Sequence, residues 1–239
     1  MSSSSTRCGA ALLALWVLLS PAVVAGDIEG TVRIQSRLGE KSETPKHKRI
    51  TRKNSSGYTS QELEASGHEK DQGKGAEGQE EEHVILHLVD PGGRLGAHPS
   101  PKESNIVDQA NKQFVPHVYP VVKGSTVTFT NKDRFFHHIF SVSPGRDFTI
   151  QRHIRSQTRT FDKPGAVEIF CGIHPRMNAY LYVVENDYFT TPFSGGKYAL
   201  RNIPAGKYTL RAWHPRLEKP VDFPVEVPEK GTVKLDLVL

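Results

Sequence analysis

Cysteine is nearly absent from this chain. Cys8 and Cys171 are the two among 239 residues, so no framework of disulfides can hold the fold together. Long hydrophobic runs are missing too: the apolar run "ALLALWVLLS" near the N-terminus is too short to cross a bilayer, which takes about 20 residues. No heptad or sustained 3.6-residue period is present, which argues against a helical architecture. The net charge of +5 is mild and no basic stripe is interleaved with aromatics, so nucleic acid is not an expected partner. What the chain does contain is glycine (20) and proline (16), the punctuation of short strands joined by turns. Its length suits one or two domains.

The first stretch reads as an address. Arg7 precedes the apolar run, "PAVVA" follows, and the sequence then turns polar, which is the three-part pattern of a secretory signal with cleavage after Ala25, Gly26 being the alternative. Export to the periplasm is the expectation, with no membrane span in the mature chain. Cys8 would leave with the leader and Cys171 would remain as a lone thiol in an oxidising compartment, where it needs to be buried or bound.

Past the short alternating run "GDIEGTVRIQ" the hydrophobic pattern disappears between residues 36 and 82. Such a segment, basic first ("KHKRITRK") and acidic last ("EGQEEE"), buries too little apolar surface to offset its ordering entropy, and a solvated, disordered spacer is expected. Strand-like pieces then follow one another from "HVILHLVD" through "STVTFTN", "HIFSVS", "AVEIF" and "AYLYVV" to "TVKLDLVL". An all-β sandwich architecture is the expected fold class.

The chemistry concentrates in "EIFCGIHPRMNAYLYV", where Cys171, His174 and Met177 follow one another at spacings of three. Thiolate, imidazole and thioether form a soft donor set that suits copper rather than calcium or magnesium. A turn between strands would let the three side chains converge. A fourth ligand must come from another strand, and "NKDRFFHHIFSVS" offers His137 and His138.

These residues resemble the cupredoxins, and among them the amicyanin and plastocyanin-like proteins of methylamine utilisation. The resemblance runs from Asn105 to Glu185 and includes "QFVPHVYPVVKGSTVTFTNKD", "FHHIFS", "TFDKPGAVEIFC" and "CGIHPRM", a ligand loop of amicyanin-like spacing. It implies one type 1 copper per chain, held by His137, Cys171, His174 and Met177. In the family the upstream ligand is followed by Asn, so "FHHI" sets His137 on the ligand and His138 on that Asn, a departure from the pattern. The implied function is single-electron transfer between redox proteins, a c-type cytochrome or a dehydrogenase among them. The ring edge of His174 would be the electron port, and Arg176 would favour an acidic partner. Nothing resembles a catalytic triad or an acid–base pair, so no enzyme activity is expected. The alternative is a periplasmic copper-binding or delivery protein without redox cycling. His117, His153 and His214 have no cysteine or methionine at matching spacing and are assigned to the surface or core.

After Glu185, "GGKYALRNIPAGKYTLRAWHP" resembles carboxypeptidase-regulatory-like, or transthyretin-like, modules. Their first strand reads I-x-G-x-V, as does "DIEGTVRI". The organisation this implies is a discontinuous regulatory-like sandwich built from residues 26–35, 83–102 and 186–239. The cupredoxin domain, 103–185, would be inserted within it.

Overall fold

The computed structural model describes residues 25–35, 81–96, 98 and 104–239. The expected leader, apart from Ala25, and the charged spacer, apart from Glu81 and Glu82, lie outside the described residues. Among the described residues all regular structure is β-strand except short 3-10 turns, so the all-β expectation holds. None of their helices is long and apolar enough to cross a membrane.

Two sandwiches are formed. The first takes its strands from both ends of the chain: β1 (Ala25–Arg33), β2 (Ile85–Val89), β12 (Phe189–Thr190), β13 (Lys197–Pro204), β14 (Gly206–Trp213), β15 (Val221–Val227), β16 (Thr232–Lys234) and β17 (Leu237–Val238). One sheet has the order β13-β1-β16 with β17 also on β1, and the other the order β12-β2-β14-β15. Ile28, Val32, Leu86, Leu88, Tyr198 and Leu210 fill the space between them. The "I-x-G-x-V" run sends Ile28, Gly30 and Val32 to one face of β1 by the period of two. Gly30 is required there because a Cβ would stand 1.9 Å from the carbonyl oxygen of Leu235.

The second sandwich is built from β3 (Ile106–Ala110), β4 (Gln113–Val115), β5 (Val118–Val122), β6 (Thr126–Asn131), β7 (His137–Ser141), β8 (Phe148–His153), β9 (Gln157–Thr160), β10 (Gly165–Cys171) and β11 (His174–Val184). Its sheets have the orders β5-β11-β10-β7-β8 and β4-β3-β6-β9. Alternation is clean where it matters. In β6, Val127 and Phe129 point inward between outward threonines; in β10, Val167, Ile169 and Cys171 share the core face. In β7 the inward set is His137, Ile139 and Ser141, so His138 stands on the opposite face.

The sandwiches meet through the outer faces of the β2 and β11 sheets. Ile85 and Trp213 from one side pack with Val118, Val122, Tyr182 and Val184 from the other. Trp213 stacks on Tyr182 with ring centres 4.6 Å apart. Successive residues of β11 therefore serve two cores: Leu181 and Val183 fill the second sandwich, and Tyr182 and Val184 fill this seam.

Candidate metal centre

Strand pairing assembles the site. β10 lies beside β7 with Cys171 opposite Ile139, which brings His137 to the end of β10 on the same inward face. β10 turns at Gly172 and Ile173 into β11, with Cys171 opposite His174 and Phe170 opposite Asn178. Pro175, Arg176 and Met177 are thus an unpaired excess on β11. A loop was expected to carry these residues; instead the irregular ladder does so. In an unbroken strand His174 and Met177, an odd number of residues apart, would face opposite ways. The irregularity lets Met177 join the core while His174 turns toward the thiol.

His137 Nδ1 stands 3.5 Å and His174 Nδ1 3.4 Å from Cys171 Sγ. The donor atoms of the three residues lie within 4.8 Å of one another. The two imidazole rings have their centres 5.0 Å apart at 57°, and Phe135 packs against both at 5.3 and 5.4 Å. Cys171, His137 and Met177 are buried, and His174 is half-buried. The structure therefore brings His137, Cys171 and His174 together and sets Met177 in the adjoining core. His138 faces away, but its carbonyl accepts the Gly172 N–H at 2.8 Å and ties the turn to β7. A Cβ on Gly172 would lie 2.8 Å from His138 Nδ1, so this approach requires glycine. His153 pairs with His137 across the sheet and contacts Gln109 rather than the thiol.

One residue of the site escaped the sequence reading. Asp133 Oδ2 accepts a hydrogen bond from His137 Nε2–H at 2.9 Å. Asp133 also accepts the amides of Asn111 at 2.8 Å and Lys112 at 3.1 Å, residues held at positive φ in the β3–β4 turn. Burial pushes its carboxyl pKa up, but the Lys112 amide, His137 and the Asn111 amide outweigh that and hold it below the ordinary value. The signal was its position four residues before His137, which means nothing until the loop curls back. Burial, then the nearby His137 and Lys112, lowers the pKa of His174 against the opposing pull of Asp133. The ring is accordingly favoured in the neutral form that binds metals.

No protein-family model matches the chain, and no curated protein matches it. Among solved structures, a copper-containing nitrite reductase from Thermus scotoductus is similar at 24% identity and a TM-score of 0.33, over 37% of this chain and 25% of its own length. A reduced amicyanin variant is similar at 20% identity and a TM-score of 0.33, over 41% of this chain and 98% of amicyanin. A purple cupredoxin from Nitrosopumilus maritimus is similar at 21% identity and a TM-score of 0.31, over 34% of this chain and 100% of its own. The chain thus spans a quarter of the nitrite reductase and nearly all of the two small proteins. At these scores the likeness carries no functional argument, and it lends no support to a transthyretin-like first sandwich.

Proposed function

We propose that this protein is an exported type 1 copper protein that carries single electrons between redox partners. The observation that carries the reading is the convergence of His137 Nδ1 and His174 Nδ1 on Cys171 Sγ at 3.5 and 3.4 Å. Two imidazoles, a thiolate and a thioether are the donors of blue-copper electron-transfer sites, and here His137, His174, Cys171 and Met177 would hold the ion. The residues fit the ion chemically: both Nδ1 atoms face the sulfur, and Asp133 takes the proton side of the His137 ring. When bound, copper would supply a one-electron Cu(II)/Cu(I) couple. The chain's own part is to hold its donors in one arrangement and exclude water. Burial of Cys171, His137 and Met177 serves both ends.

His174 is the half-buried ligand and so the route outward. Phe135 packs against it and is exposed, as is Ile173 beside it in sequence, while Lys112 is near enough to act on its charge and Arg176 also lies at the surface. An apolar patch fringed by cations fits a redox protein with an acidic docking face. The leader sequence supports a periplasmic location. The pairing of β1 with β13, β16 and β17, and of β2 with β12 and β14, supports a discontinuous first sandwich with the second inserted between its strands.

The test is the absorption spectrum of the copper-loaded, oxidised protein. An intense visible thiolate-to-copper band is expected in the unaltered chain and none in Cys171→Ser. Weak, colourless Cu(II) binding in both would favour delivery over electron transfer.

A further inference from the structure

The seam between the sandwiches gathers imidazoles that the Cys171 centre does not use. His83 stands two residues before Ile85, His117 directly before Val118, and His214 directly after Trp213, and these three neighbours belong to the apolar seam. The rings of His83 and His117 have their centres 5.4 Å apart at 58°, and His214 lies 6.4 Å from His83 at 28°. Two imidazoles sharing one tetrahedral ion have ring centres about 5 Å apart, given metal–nitrogen bonds of about 2 Å. His137 and His174 show nearly the same separation, 5.0 Å.

Hydrogen bonding sets His117 and His214 apart. His117 Nδ1–H donates to the carbonyl of Asn178 at 3.1 Å, which leaves the lone pair on Nε2. That is the posture of a metal-ligating histidine, its second nitrogen fixed by a carbonyl. His214 is held the other way. Its Nδ1 accepts the Arg216 amide at 3.2 Å, which puts the proton on Nε2 and makes this buried ring a wall. His117 is exposed and His83 half-buried, so an ion with its waters has access.

We propose that His83 and His117 together bind a divalent transition-metal ion of the imidazole-preferring class, such as Cu(II), across the seam, with water completing its shell. One ligand comes from each sandwich, so the ion would fasten the two together. No thiolate is involved, and the bound ion would lack the intense visible band of a cysteine site. This proposal is independent of the function assigned to the Cys171 centre.

The experiment is a Cu(II) titration of the full metal-free chain by equilibrium dialysis with metal analysis, alongside His83→Gln and His117→Gln. The unaltered chain is expected to bind one equivalent more than either variant, while all three develop the same Cys171-dependent band. That band reports both folding of the variants and the state of the first site, so failure there is seen separately. Variants that bind as much copper as the unaltered chain would overturn the proposal.

Discussion

Asp133 Oδ2 receives the Nε2–H of His137 at 2.9 Å while the Nδ1 of the same ring faces Cys171 Sγ at 3.5 Å. One hydrogen bond therefore settles both the tautomer and the direction of the ring, and it places a negative charge behind the nitrogen that faces the thiol. Such outer partners raise the basicity of an imidazole and stabilise the higher charge of Cu(II).

Asp133→Asn keeps an acceptor oxygen but removes the charge. Copper affinity is expected to fall about 10–100-fold, the usual effect of losing an outer-shell partner, and the reduction potential to rise. Competition titration and voltammetry measure the two. If Asp133 only braces the β3–β4 turn, the potential will stay where it is.

His137→Ala is expected to abolish the intense visible band, whereas His138→Ala shifts it and loosens the ligand turn. The reason is strand alternation: His137 points to the thiol, whereas His138 lies on the other face, where its ring packs over Gly172 and beside Phe140. The two spectra, recorded side by side, check it. The reverse outcome would move the ligand to His138.

Met177→Leu conserves volume in a buried position and should cost less than about 1.5 kcal/mol in a denaturant melt of the metal-free protein. Copper binding is expected to survive. Its reduction potential should rise, because a centre nearer three-coordinate stabilises Cu(II) less. Equal potentials for the two proteins would reduce Met177 to core packing.

Acid stability isolates His87, which is buried against Tyr182 at the seam. Burial, with the nearby Arg211 charge, lowers its pKa from 6.5 to about 4. The unfolded chain therefore takes up this proton first as pH falls. Stability is unaffected by the group above pH 6.5 and declines between 6.5 and 4, by on the order of 3 kcal/mol if the shift is fully expressed. Urea melts across that window should show a shallower decline for His87→Leu. Parallel declines in the two proteins would remove His87 as the source.

The sequence by itself determined what strand period and short range can carry. Alternation in "STVTFTN" and "AVEIF" was enough for an all-β reading, and Cys171, His174 and Met177 stood out because a single hairpin holds them. The structure decided what depends on neighbours distant in sequence. Which of His137 and His138 meets the thiol follows from the register of β7 on β10, where a slip of one residue would exchange them. The placing of Met177 depends on an irregularity in the β10–β11 ladder, and no feature of "HPRM" announces one. Asp133 joins the site only because its loop curls back beneath the amides of Asn111 and Lys112. His83 and His117 come together only because two sandwiches pack through Ile85, Val118 and Trp213. Apolar burial drives that packing, and apolar burial is non-directional. Local sequence states that these faces must be covered, and the tertiary fold alone settles which polar side chains are carried to the rim.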